Sequence, residues 1–182
     1  MLYVAGYQGK DWWSRAIRWQ TWSKWSHVAL VWREPDQPFA ICPMVEAWPG
    51  GVRRQPTPYE GHAPGTVVDF FSVVGLSAKQ ADDAWKWALG TVGERYDYWS
   101  VIRFVPRWLM PAAGRDAWFC AEHVFTALGR VEWPVLLRTD PAEVSPGMII
   151  RSPMLHYCES GVCDNSGEAE PWTDFTMKWN AA

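Results

Sequence analysis

Several features that would point directly to a class of protein are scarce or absent in this sequence. Its 182 residues include four cysteines, which are too few and too widely spaced for a disulfide framework. The net charge is -3, so no general excess of basic residues indicates a nucleic-acid partner. No window approaches the roughly 20 apolar residues that a membrane-spanning helix needs. We therefore expect neither nucleic-acid binding nor a transmembrane segment.

The start of the chain also lacks the pattern of an export signal. The segment MLYVAGYQGKDWW has no basic stretch followed by a sustained apolar one. A cytoplasmic protein is therefore expected, with a phage-encoded or virion-associated protein as the alternative. A reducing compartment agrees with the scarcity of cysteine.

The sequence is rich in tryptophan, with fifteen copies, and 48% of its residues are hydrophobic while 20% are charged. This balance indicates an ordered chain with one core. We expect one domain over residues 1–152. The segment from 153 to 182 is rich in turn-forming and acidic residues, and an irregular C-terminal extension is predicted there.

Short apolar segments with strand character alternate with helical ones. The strand candidates are LYVAGY, HVALVW, FAICPMVEAW, TVVDFFSVV and GMIIRS. A helix is predicted from Ser77 to Leu89, because Ser77 and Gln80 form an S-x-x-Q capping box. A second helix is predicted from near Asp116 to Gly129. The fold class is therefore α+β, with an antiparallel sheet packed against helices.

His27 stands at the start of a strand candidate and is expected to face a carboxylate. The turn formers in REPDQPF place a hairpin between Asp36 and Gln37, so that paired residue numbers sum to 73. Glu46 then lies directly opposite His27, on the same face of the sheet. A one-residue bulge would put Glu46 on the other face. With no bulge, this carboxylate can hold the imidazole.

Cys120 falls in the first turns of the second predicted helix. A helix N-terminus and a neighbouring imidazolium both favour a thiolate. Cysteine, histidine and an orienting carboxylate are together the parts of an activated nucleophile. The alternative is that these residues share no function, with His27 a histidine at a strand end and Glu46 a solvated carboxylate.

Four segments in order, SRAIRWQTWSKWSHVALV, MVEAWPGGV, GERYDYWS and WFCAEHVFTALG, resemble the circularly permuted papain-like hydrolases of the NlpC superfamily, the YiiX-like group. The resemblance covers roughly residues 1–152 and implies a permuted papain-like topology. It implies Cys120 as the nucleophile, His27 as the general base and Glu46 as the residue that orients it. Tyr96 matches a tyrosine that helps to bind the substrate or its oxyanion. Ala121 departs from the small hydroxyl residue often found there.

The resemblance and the residues together predict a cysteine hydrolase that cleaves an amide bond, in a peptide or a peptidoglycan fragment. Neither a metal nor an organic cofactor is expected. A thioesterase or acyltransferase acting on a lipid-like acyl substrate would use the same three residues. A non-catalytic binding module on the same fold is the third alternative.

Other residues compete for these roles. His123 lies three residues after Cys120 and is a rival base, although it would have to bend back towards the thiol. A metal set of His156, Cys158 and Cys163 lacks paired spacing and a fourth ligand, and a disulfide between the two cysteines is the alternative. Cys42 is expected to be buried in the core.

Basic and aromatic residues also alternate before His27. Such a stretch is typical of a helix that buries its rings against a sheet and keeps its charges in water. Binding of an anionic polymer or a membrane surface is the alternative. The residues concerned are Arg15, Arg18, Trp19, Trp22, Lys24 and Trp25.

Overall fold

The structure, a computed structural model, describes residues 1–97, 117–133, 135–136 and 138–164. The strands in these ranges are β1 Leu2–Gln8, β2 His27–Trp32, β3 Met44–Trp48, β4 Gly51–Gln55, β5 Val67–Val73, β6 Arg95–Tyr96, β7 Ala117–Trp118 and β8 Leu155–Val162. The α-helices are α1 Trp12–Thr21, α2 Ala78–Gly90, α3 Cys120–Gly129 and α4 Pro146–Ile150.

Six of the strands form one antiparallel sheet in the order β4-β3-β2-β1-β5-β8. Strand β1 is central, and its residues Leu2 to Tyr7 are buried. The short strands β6 and β7 form a separate parallel pair. The α+β class with an antiparallel sheet, predicted from the sequence, is confirmed.

The sheet has a core on each face. Helices α2 and α3 cover one face, where Val28 and Leu30 of β2 pack with Val124 and Leu128 of α3. The other face holds a smaller cluster that includes Tyr3, Tyr7, Phe39 and Phe70. Strands buried on both faces read as continuous apolar runs, which explains segments such as HVALV.

The start of α2 agrees with the sequence prediction. The Ser77 side chain accepts a hydrogen bond from the Gln80 N–H, and the Gln80 side chain accepts one from the Ser77 N–H. This reciprocal pair is the predicted capping box. Buried Ala81, Ala84 and Trp85 then direct the helix onto the sheet.

Three sequence predictions of local structure are wrong. The segment GMIIRS is not a strand, because Ser145 caps the short helix α4 and Pro146 occupies its first turn. The second predicted helix begins at Cys120, later than predicted, after strand β7; Asp116 lies outside the described residues. The segment after residue 152 is not irregular throughout, because Leu155–Val162 forms β8 and pairs with β5. The remainder of the predicted extension, from 165, lies outside the described residues.

Helix α1 does not bury its rings against the sheet, so the sequence prediction for this stretch is wrong. None of its ten residues is buried, and Trp19 is 78% exposed. Asp11 caps the helix by accepting a hydrogen bond from the Ser14 N–H. Across the described residues, no helix combines the length and apolarity that crossing a bilayer requires.

Candidate active site

The three predicted catalytic residues come from three different elements. His27 is the first residue of β2, Glu46 lies in the middle of β3, and Cys120 is the first residue of α3. Helix α3 packs on β2 and β3. This packing brings the start of the helix to the end of the sheet where His27 stands.

His27 and Glu46 are in direct contact. Nε2 of His27 lies 2.6 Å from Oε2 of Glu46, a short charge-assisted hydrogen bond. The Glu46 side chain is fully buried and His27 is 8% exposed. A buried ionised carboxylate of this kind needs partners, and it has several.

The hairpin register that led to this pair is nevertheless wrong. Val31 pairs with Met44 and Leu30 with Val45, so paired numbers sum to 75 rather than 73. Phe39 is the reason, because it starts a 3₁₀ turn and stacks on Phe70 in the core, which moves the centre of the connection by one residue. The register therefore shifts by two residues. A shift of two keeps the same face, so Glu46 still reaches His27 diagonally.

Two further residues hold Glu46. Arg53 lies directly opposite Glu46 on β4, and its Nε donates a hydrogen bond to Oε1 at 2.8 Å. His62 follows β4, and its Nε2 lies 3.5 Å from Oε2 of Glu46. The pKa of Glu46 is lowered well below its usual range, because contacts with His27 and His62 outweigh burial, which acts in the opposite direction. Glu46 is thus ionised and fixed.

Sequence reasoning missed both partners, for different reasons. The Trp48–Gly51 pair closes a tight hairpin around Pro49 and Gly50, and counting back from it would have placed Arg53 opposite Glu46. His62 had no such signal, because it lies in an irregular segment. Its ring stacks on Tyr7 at 4.0 Å between centroids and meets Trp48 edge to face. Burial lowers the pKa of His62, so its neutral form is favoured.

Cys120 lines the same cavity as the imidazole of His27. Burial lowers the pKa of His27, but the charge and hydrogen bond of Cys120, with those of Glu46, outweigh it and raise the pKa to about 9. Since Glu46 occupies Nε2, Nδ1 is the nitrogen left for the thiol. Cys120 is 5% exposed, and its backbone N–H belongs to the first turn of α3. Phe119, the N-cap residue, has no side-chain acceptor of its own to cap that turn.

Cys120 and His27 face a common cavity of about 490 Å³. Tyr96, half-buried on β6, lines the same cavity. A role for Tyr96 in substrate binding is what the family resemblance implies, and it stays a prediction. Trp12, Trp13, Ile17 and Trp48 give the wall a strongly apolar character. Glu46 does not line the cavity and lies behind His27.

The competing residues lie elsewhere. His123 is fully buried and its Nε2 lies 2.8 Å from Oγ1 of Thr91; burial lowers its pKa to about 4. All four cysteines are free; Cys158 is exposed, while Cys42 and Cys163 are buried. Burial of Cys42 agrees with the sequence prediction. Burial raises the pKa of Cys42 to about 11 and that of Cys163 to about 12.

Comparison with known proteins identifies a similar fold. No protein-family profile matches the chain, and no curated protein matches it. A solved structure, that of the metalloprotein YiiX from Escherichia coli O157:H7, is similar with a TM-score of 0.59 and 18% sequence identity. The match covers 86% of this chain and 94% of that one. The fold is therefore YiiX-like.

Proposed function

We propose that this protein is a cysteine hydrolase that cleaves an amide bond in a peptide or a peptidoglycan fragment. The observation that carries the proposal is the arrangement around one cavity: Cys120 and His27 both line it, and Glu46 holds the far side of the imidazole at 2.6 Å. A nucleophile, a base and an orienting group in this order are the parts of a catalytic triad. The likeness to YiiX supports the fold alone, and the permuted papain-like topology is part of this proposal.

The reaction follows from these positions. The Cys120 thiolate attacks the substrate carbonyl carbon, and the first-turn N–H groups of α3 stabilise the oxyanion, with Tyr96 beside it. When the C–N bond breaks, protonated His27 gives its proton to the leaving amine. Neutral His27 then takes a proton from water, which attacks the thioester and releases the carboxylic acid and Cys120. Glu46 orients the ring and stabilises the imidazolium whenever His27 carries the proton.

A first experiment tests the nucleophile without any knowledge of the substrate. Native protein is treated with iodoacetamide at neutral pH, and the alkylated cysteines are located by peptide mapping. Cys120 should react fastest, although Cys158 is the exposed cysteine. His27→Asn should bring the rate of Cys120 below that of Cys158, because the imidazolium that favours the thiolate is lost. Equal rates for all four cysteines in the native protein would remove the nucleophile assignment.

Turnover of a peptide anilide separates the roles of the three residues. Cys120→Ala should abolish it, and His27→Ala should reduce kcat by roughly 10²–10⁴-fold, the usual worth of general acid–base catalysis. Glu46→Gln should reduce kcat by a smaller factor than His27→Ala, because an amide still accepts a hydrogen bond from the imidazole. A thioesterase or acyltransferase would instead prefer an acyl thioester. A binding module would turn over neither substrate.

A metal site at the same residues is the second candidate. His27, Glu46 and His62 each offer a ligand atom, and all three atoms lie within 4.8 Å of one another. Two imidazoles and a carboxylate form a known zinc set, which leaves one position for water that the metal would activate. YiiX is described as a metalloprotein. Against the metal, the Arg53 guanidinium lies 2.7 Å from the other oxygen of Glu46.

The two candidates exclude each other, because a metal on Nε2 separates His27 from Glu46. If the thiol is the nucleophile, a chelator should leave turnover unchanged and Zn²⁺ should inhibit it. His62→Gln should then relieve the inhibition by Zn²⁺, because one ligand is lost. Loss of turnover after chelation, restored by Zn²⁺ and absent in His62→Gln, would favour the metal site over the thiol mechanism.

A further inference from the structure

Helix α1 turns an aromatic surface towards solvent. Trp12, Trp13, Trp19 and Trp22 are 66%, 47%, 78% and 85% exposed, and we refer to them as the tryptophan face. Trp12, Arg15 and Trp19 are spaced three and four residues apart, which places them along one side of α1. Trp13 lies beside Trp12, and Trp22 is the C-cap residue of the helix. In most globular proteins a stripe with this spacing packs on the core. Here it points outward: Trp12 stacks on Trp13, and Trp19 and Trp22 remain largely exposed.

Apart from Asp11, the exposed carboxylate that caps α1, the charged residues along this stretch of the chain are positive. Arg15 is exposed within the stripe itself, and the chain has no acidic residue from position 12 to position 33. Arg151 donates a hydrogen bond to the Trp22 carbonyl at 2.7 Å, which adds a guanidinium at the end of α1. The whole chain is negative, so this cationic surface is a local feature.

We propose that the tryptophan face binds the surface of an anionic phospholipid bilayer, with α1 lying in the interface. Indole rings prefer the boundary between headgroups and acyl chains, since they combine an apolar body with an N–H donor. Arginine beside them attracts anionic lipid headgroups. A short amphipathic helix with this composition is typical of a peripheral membrane contact. A second copy of the chain fits less well, because a two-fold contact through this face would bring the Arg15 side chains of both copies together.

The tryptophan face is continuous with the cavity. Trp12 and Trp13 belong to both, and Ile17 of the same helix also lines the cavity that holds Cys120. A bilayer bound through α1 therefore lies at the rim of the cavity. The binding itself does not depend on the proposed hydrolase activity, and it is measured without turnover.

The test is co-sedimentation with vesicles, using Cys120→Ala protein so that no chemistry intervenes. The protein should bind phosphatidylcholine vesicles that contain phosphatidylglycerol, bind pure phosphatidylcholine vesicles more weakly, and dissociate as salt is added. The double variant Trp19→Ser, Trp22→Asn should weaken binding at least about tenfold, because two exposed indoles are lost. Asparagine suits position 22, where φ is 49°.

A matched control removes two exposed apolar residues outside α1. Ile41 is 60% exposed and Val92 44% exposed, and Ile41→Ser with Val92→Ser should leave vesicle binding unchanged. For the charge, Arg15→Gln should weaken binding to the anionic vesicles, whereas Lys79→Gln on α2 should not. Equal vesicle binding by the tryptophan variant and its control would overturn the proposal. So would a wild-type protein that ignores vesicles but self-associates, or binds heparin, through the same tryptophans.

Discussion

The imidazole of His27 lies between a carboxylate, which orients the ring, and a thiol, which is the proposed nucleophile. Glu46 holds Nε2 from within the protein, and Cys120 approaches from the cavity. Both raise the pKa of His27, to about 9, against the effect of burial. Because the folded pKa lies above the ordinary value, the protonated ring stabilises the folded state fully below about pH 6.5. That stabilisation is lost as the pH rises through about 9.

Replacing Glu46 should therefore move the titration of His27. The chemical shift of the His27 Hε1 proton is followed by NMR as a function of pH. The midpoint of its titration should lie near pH 9 in the native protein. Glu46→Gln should lower the midpoint, because it removes a negative charge in contact with the ring. Glu34→Gln, an exposed carboxylate in the connection between β2 and β3, is the control and should leave it unchanged. A midpoint that stayed near pH 9 in Glu46→Gln would show that this carboxylate does not set the charge of His27.

At the scale of elements, predictions based on local chemistry agreed best with the structure. The capping box of α2 depends on residues three apart, and it is present as predicted. The hairpin register depended on Phe39, whose ring is held by Tyr3 and Phe70 from other strands, and no turn rule contains that contact. The predicted contact between His27 and Glu46 is present despite this error, because the register shifted by two residues and both side chains stayed on the same face.

For two other elements, α4 and β8, the sequence pattern and the structure differ. The apolar run before Arg151 is too short to tell a strand from a helix by periodicity, although Ser145 and Pro146 carried the helix signal. Half of the residues of strand β8 are exposed, and the strand has no apolar alternation. It is held by backbone pairing with β5, which the sequence does not display.

At the scale of the whole molecule, the sheet joins distant parts of the chain. Strand β1 lies between β2 and β5, and β8 closes the edge beside β5. The Cys163 N–H donates to the Thr66 carbonyl at 2.8 Å, and the Gly65 N–H donates to the Cys163 carbonyl at 2.6 Å. The end of β8 is thus fastened to the start of β5. Residues beyond 152 therefore contribute to the same sheet as the candidate active site.

A substitution at Gly161 in β8 tests this contribution. A Cβ at Gly161 would lie 2.2 Å from the Tyr59 hydroxyl and 2.7 Å from a ring carbon, so the ring must move. Gly161→Ala should lower the free energy of unfolding by about 1–3 kcal/mol, the usual cost of overpacking, measured by urea denaturation at constant pH. Gly90→Ala is the matched control, because a Cβ at the last residue of α2 meets no atom within 4 Å. It should leave stability unchanged or raise it by up to about 1 kcal/mol. If the two variants were equally stable, position 161 of β8 would not be packed against Tyr59.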